Sequence, residues 1–561
     1  MRSSLPYLVA FTIMAFAACS RDQASTDHSP VVADDLAARA GAPLFDGMGD
    51  HHHAITTSDP DAQRYFDQGL VIDFAFNHAE SVRSFRAGQT LDPDCAMCYW
   101  GEALALGPNI NVTSNGKVVM GDDDRVNAFA AIEKAIELRP KVSEKERDYI
   151  DALATRYNGD PATPREALDL AYVDAMRQLH EKYPDDDDAA ALFAESMMNT
   201  MPWDYWLDGE NPKPLTVEVL AALEMVLERS PNHPLAIHLY IHAVEASDSP
   251  ARAEAGADRL LTLVPGAGHL VHMPSHIYWR VGRYDDASEA NVLAAGVDEA
   301  YIAACNAQGF YPAAYYPHNI HFLWASSSME GRSEVSIEAA RKVAANVQLA
   351  MIEEYPSVEF FHTIPLLALT QFGRWDEILE EPQPPASLEY SNAIWHYARA
   401  TAFVKKGDIE SARAEREKLL PLRDATDVTF LDSIYYPATM LLEIADSLVL
   451  GELAMADGDQ QAAIEHFENA VSVQDELPYT EPPFWYYPTR HTLGKALLTA
   501  GRAADAEAVY RRDLELVPRN GWAMYGLIQS LIAQDKDSSE VQAKFDTIWA
   551  KSDISLTASQ F

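Results

Sequence analysis

The chain is 561 residues long, with 48% hydrophobic and 23% charged residues, the balance of a soluble folded protein. Acidic residues number 85 against 43 Lys and Arg, a formal charge of −42. That excess removes the basic footprint needed for nucleic acid or an anionic lipid surface, and it suits a protein that attracts cations.

Residues 1–19 read as a targeting segment. Arg2 supplies the positive end, and Leu5 to Ala18 is apolar. The stretch has the length of a signal h-region and is too short to span a bilayer. It ends in Phe16-Ala17-Ala18-Cys19, which resembles a lipobox with Phe16 in place of the usual Leu. The resemblance implies cleavage before Cys19, lipidation of its thiol, and, with Ser20 following, anchoring at the outer membrane, with the mature protein periplasmic or surface-facing. Residues 20–59 are expected to be a flexible tether. Within it, His51-His52-His53 reads as a solvated loop, with a reach back into the groove as the alternative.

Residues 60–200 carry a repeating pattern. Gly69, Phe85 and Pro93 are followed by Trp100-Gly101, Ala128, Ala135 and Pro140. The spacing recurs in Leu450-Gly451, Gly458, Ala463, Phe467 and Ala470, and again in Leu493-Gly494, Gly501, Ala506, Tyr510 and Pro518. Small residues on two helices allow close approach, bulky ones fill the gap, and Gly and Pro punctuate the ends. A single hairpin of this kind cannot bury its apolar face, so neighbours must stack. No alternating apolar run argues for a sheet. The pattern resembles the tetratricopeptide repeat, which implies an all-α, right-handed superhelical solenoid of helical hairpins. The likeness covers about residues 60–540 and is weakest between 201 and 345.

Two insertions break the phase, Gly107 to Gly121 and Met201 to Pro214, and such loops on solenoids are either surface excursions or parts of a binding face. Cys95-Ala96-Met97-Cys98 lies in the second unit. A local disulfide and metal ligation with Glu102 are its two readings. A thioredoxin-like role lacks the βαβ context, and Tyr99 stands where covalent haem attachment needs His. Cys305 is the odd thiol. Asn77-His78-Ala79-Glu80 falls at an inter-helix turn, where capping is the expected role. The run Asp185 to Asp188 reads as a solvated loop and lacks the spacing of a calcium loop.

The central segment, 201–345, is rich in histidine. Steps of three and four keep residues on one helical face. By resemblance to tetratricopeptide domains, the second, fifth, ninth and twelfth positions of each first helix line a concave groove. In that register His238, His242 and Glu245 take the fifth, ninth and twelfth positions of one unit. His269, His272 and His276 take the second, fifth and ninth of the next, and His318 and His321 the second and fifth of a third. His238 and His272, like His242 and His276, stand 34 residues apart, one repeat. Pro274 interrupts His269-Leu-Val-His-Met-Pro-Ser-His276; a helix starting there would leave His269 and His272 in a loop.

Two functions follow. Residues His238, His242, Glu245, His269, His272, His276, His318 and His321 form a polar groove for an unidentified protein or peptide partner. Alternatively His238, His242, Glu245, His272, His276, His318 and His321 bind a transition metal (zinc, copper or iron), all of which accept neutral imidazole. No complete catalytic motif is present, and no His-Glu-x-x-His metalloprotease signature. A carbohydrate-binding role for Trp203 to Trp206 and Phe484 to Tyr487 is a third, weaker reading. Residues 346–550 continue the repeats, and 551–561 read as a tail.

Overall fold

The computed structural model describes residues 34–113, 118–305, 307 and 309–561. Cys19 and the signal segment lie outside the described residues. The chain is all-α, a stack of tetratricopeptide-like hairpins. Among the described residues the only strands are a two-residue parallel pair, Val112–Thr113 with Val118–Val119, inside the first insertion.

Local chemistry explains where helices begin and end. Asp59 accepts from the Asp61 amide at the start of Pro60–Phe74, where Pro60 occupies a place that needs no donor. Ser143 and Glu146 form a reciprocal capping box at Glu144–Ala154. Gly458 ends Ala438–Asp457 in the left-handed conformation, at φ 82.

The repeats lock through one contact type. A Cβ built on Gly494 would stand 2.3 Å from Tyr510 Cζ, and one on Gly526 in the next hairpin 2.2 Å from the same atom. Phe85 is gripped in the same way by Gly69 and Gly101. Each bulky ring therefore fills the notch left by glycines of its own hairpin and of the following one. This is the packing implied by the spacing in the sequence.

Two large apolar cores result, beside a small third cluster of Leu36, Ala40, Ala42, Tyr65 and Ala87. One runs from Phe66 to Tyr315, the other from Trp279 to Leu531. The later hairpins also return to the middle of the chain. Tyr284 donates to the Pro518 carbonyl at 2.8 Å, and Trp522 Nε1 to the Ser328 carbonyl at 2.9 Å. Asp553 accepts from the Ser333 and Glu334 amides at 2.8 and 2.9 Å.

Both supposed ends differ from expectation. The described part of the tether is a strap rather than a free linker: Asp34–Ala40 is helical, Ala42 is buried, and Thr56 donates to Glu146. The tail is docked as well. Ser559 bonds Tyr510 at 2.6 Å, and Phe561 lies edge-on to Trp522. Among the described residues no helix is long and apolar enough to cross a membrane.

Candidate metal centre

Helix Pro234–Val244 carries His238 and His242. Helix Gly268–His272 carries His269 and His272, and Pro274–Val281 carries His276. Pro274 does not expel the first two from a helix. Met273, at φ −51 and ψ −36, joins the segments in right-handed helical geometry, so Pro274 sits in the first turn of the second piece. His318 lies on Tyr316–Met329.

The rings assemble by a rule. The fifth- and ninth-position histidines of one unit meet the second-position histidine of the next. His238, His242 and His269 form one trio, and His272, His276 and His318 another; in each, the ligand atoms lie within 4.8 Å of one another. They sit where the two cores meet. The His269 ring is 4.8 Å from Tyr315, and those of His272 and His276 are 4.9 and 4.7 Å from Phe322.

Hydrogen bonds fix the tautomers. His238 Nδ1 faces the Phe74 carbonyl at 2.6 Å, and His242 Nδ1 faces Glu245 Oε1 at 2.7 Å. His276 Nδ1 faces Glu245 Oε2 at 2.6 Å, and His272 Nδ1 faces Asn291 Oδ1 at 2.6 Å. Asn291 donates its amide nitrogen to the Ala287 carbonyl, which turns its oxygen toward the ring. All four partners accept, so all four Nδ1 atoms carry a proton, and in the neutral form of each ring Nε2 presents a lone pair. Those lone pairs face one another. His238 Nε2 lies 3.1 Å from His242 Nε2, and His272 Nε2 lies 2.9 Å from His276 Nε2.

Burial works against an extra proton on His238, His242 and His272. His238 and His272 are pushed well below the usual range by burial first and by their neighbouring histidines second. His242 also falls, burial outweighing the pull of Glu245. Two facing lone pairs form an arrangement that a bound cation would satisfy. Nitrogen ligands at about 2.0–2.1 Å from one ion stand roughly 2.9–3.4 Å apart, the separation seen here. Glu245 is different: its oxygens lie at 2.6–2.7 Å from Nδ1, the length of charge-assisted hydrogen bonds. It orients the His242 and His276 rings, and with them it also forms a third group whose ligand atoms lie within 4.8 Å of one another. Burial raises its pKa, but His276 and His242 outweigh burial and bring it to about 2. His269 adds a ring with both nitrogens buried and without a partner.

His321 does not join. Its ring stacks on Trp324 at 5.1 Å and meets Phe360 and Phe361, and burial lowers its pKa to about 3. The residue one turn on is Ala325, so there is no pair for it to complete. Nor do the histidines line an open groove: His238, His242, Glu245, His269, His272 and His276 are each at most 2% exposed. Their cover comes from both insertions. Trp203 approaches His242 edge-on at 5.0 Å and donates to Asn111 at 3.2 Å; Asn111 donates to Tyr315 at 2.9 Å. Trp203 holds φ 63, an uncommon conformation for a bulky residue.

A second histidine group uses the strap. His51 Nε2, His53 Nδ1 and His233 Nε2 lie 3.0, 2.6 and 3.1 Å from Asp188. Asp188 is buried, so the acidic run is not wholly a solvated loop, and His51 and His53 do return to the body. His233 Nδ1 accepts from the Ala236 amide, so its Nε2 carries a proton and donates. This is a hydrogen-bonded latch, in which His233 holds the opposite tautomer from the paired trios and His53 meets Asp188 through Nδ1. Burial raises the Asp188 pKa, but hydrogen bonds from the three histidines hold it well below the usual range.

Cys95 and Cys98 form a disulfide in the first turn of Ala96–Ala105, which removes them as ligands, and Glu102 instead pairs with Arg86. Cys305 is a free thiol near Arg83. Asn77 stands at the N-cap of His78–Leu91 without a side-chain cap bond, and His78 instead anchors Asn109 of the first insertion at 2.9 Å. Asn291 was not visible as a site residue in the sequence, and no periodicity links the strap histidines or Trp203 to the trios.

No protein-family model matches the chain, and no curated protein matches it. Similar solved structures include the human IFIT1 dimer with m7Gppp-AAAA, at 12% identity over 77% of this chain and 87% of that one, TM-score 0.31. Yeast Tom70 is similar at 13% identity over 82% and 92%, TM-score 0.30. The APC/C hetero-tetramer Cut9-Hcn1 is similar at 12% identity over 87% of each chain, TM-score 0.30.

Proposed function

We propose that the protein is a transition-metal-binding protein with two adjacent three-histidine sites, His238–His242–His269 and His272–His276–His318. The observation that carries the reading is the two Nε2–Nε2 contacts at 3.1 and 2.9 Å, His238 with His242 and His272 with His276, the Nδ1 of these four rings being turned to acceptors. All-imidazole sites suit zinc, copper or iron and disfavour magnesium and calcium. Three protein ligands leave a fourth position open, the arrangement of reactive rather than structural zinc sites. Elemental analysis of tag-free protein tests the proposal. It is supported by near-stoichiometric metal that is lost from a His242→Ala/His276→Ala double variant, and defeated by protein that takes up none of the three metals.

The repeat architecture also favours a role in holding a protein or peptide. That role belongs to outer surfaces such as Leu207, 71% exposed, and not to the buried histidines. A pull-down with wild type and Leu207→Asp would test it. The proposed location is the periplasmic face of the outer membrane, through lipid on Cys19. Mass spectrometry of the mature N-terminus would test that: an unmodified cysteine or cleavage elsewhere rejects it.

A further inference from the structure

The two histidine trios abut. Across the boundary between them the His242 and His276 rings lie 5.5 Å apart, and the His269 and His272 rings stack at 5.7 Å. Both separations are those of aromatic rings in direct contact. Glu245 spans the same boundary. Its Oε1 meets His242 Nδ1 of one trio at 2.7 Å, and its Oε2 meets His276 Nδ1 of the other at 2.6 Å. His242, Glu245 and His276 offer ligand atoms within 4.8 Å of one another, so this group overlaps each trio by one residue and joins the two into a chain. Both Nδ1 atoms face the carboxylate, so each Nε2 is turned away from it, toward His238 in one trio and His272 in the other.

The charge of such a centre, once loaded, is unbalanced. A ligating imidazole is neutral, so two divalent ions among six histidines and one carboxylate carry a net charge of about +3. Among the described residues Glu245 is the only carboxylate hydrogen-bonded to any of the six rings. His238, His242, His269, His272 and His276 are each at most 2% exposed. Charge buried this deeply is costly unless it is paired. The chain supplies no second counter-charge at the rings, so the pairing has to come from a bound anion. Three protein ligands leave one position open on each ion, and adjoining sites let one anion fill both. The burial restricts that anion to a few atoms. A neutral guest would leave the charge unpaired, and a third cation would add to it.

We propose that the two trios form one dinuclear centre whose ions share a small bridging anion, hydroxide in plain buffer and replaceable by another small anion such as azide. The inference rests on the metal reading above and goes beyond it, since two isolated ions would satisfy that reading equally well.

The experiment loads tag-free full-length protein with copper(II), counts the bound metal by elemental analysis, and integrates the electron paramagnetic resonance signal. The expected result is two coppers per chain with most of the signal lost, because an anion bridge couples their spins. His238→Ala, which empties one site, should bind one copper with its full signal. If that variant melts early, wild-type protein loaded with equal copper and zinc takes its place, since a copper beside non-magnetic zinc regains its signal. Azide titrated into the two-copper protein should bind once per pair, with a new charge-transfer absorption band. Two coppers with two full signals, or two azides per pair, overturn the dinuclear centre and leave two separate metal sites standing. No copper uptake overturns it as well, and the metal reading falls with it only if zinc and iron are also refused.

Discussion

His272 Nε2 and His276 Nε2 stand 2.9 Å apart, each on a ring whose other nitrogen is already committed to an acceptor. If a metal resolves that contact, tag-free protein binds two ions. His238→Ala empties one site, while Glu245→Gln disturbs both, because one carboxylate orients a ring in each trio. The loss for Glu245→Gln should be about 10–100-fold in metal affinity. Chelator competition measures it, and an unchanged affinity in Glu245→Gln would rule out the shared orienting role.

Trp203 closes over His242 and is tied to Asn111. Trp203→Ala should speed removal of bound metal by a chelator while leaving the unfolding temperature close to wild type, since the side chain is 42% exposed. Equal stripping rates in stopped-flow experiments would show that the two loops do not gate the site.

The notch at Gly494 leaves no room for a methyl group against Tyr510. Gly494→Ala should destabilise the C-terminal hairpins by about 1–3 kcal/mol, the cost of overpacking. Gly407, with nothing near its Cβ, is a poor control because its φ is +80. Gly296, also with open space and no such conformation, is the suitable one. Denaturant unfolding of the two Ala variants gives the comparison.

Asp298 is buried, accepts from Tyr311 at 2.8 Å and Asn319 at 2.7 Å, and is raised by burial to about 7. In the unfolded chain it ionises near the ordinary carboxylate value, about 4. Between those limits the folded protein holds a proton that the unfolded chain has lost, so this group's contribution to stability falls as pH rises from about 4 to 7 and then levels. Asp298→Asn removes that slope. Parallel stability curves for variant and wild type across the window would contradict the assignment.

Asp188 latches the strap through His51, His53 and His233. Asp188→Asn should raise amide exchange across residues 42–58 well before the repeats exchange, because local openings draw on the weakest tethers. Exchange that rises only with global unfolding would mean that other contacts, such as Thr56 with Glu146, hold the strap.

The sequence made the hairpins legible because their packing is written in glycines and aromatic rings at fixed spacing. It made the trios legible because a one-repeat spacing returns a histidine to the same place. His321 misled for a local reason: the residue one turn beyond it is Ala325, so the pair that recruits the next histidine is missing. The strap could not be read, since His51 and His53 find Asp188 through tertiary contacts without period. The orienting atoms were equally hidden. The Phe74 carbonyl carries no side-chain signature, and Asn291 lies on a helix that contributes no histidine.

The contacts from Pro518, Trp522 and Asp553 back to Tyr284, Ser328 and Ser333 change how the molecule must come apart. An open array melts from its ends, because each repeat touches only its neighbours. Here the last hairpins brace the middle, so trimming the C-terminus withdraws support from residues more than 200 positions earlier. The chain should behave less like a string of separable modules than like an arch, in which the final stones keep the first in place.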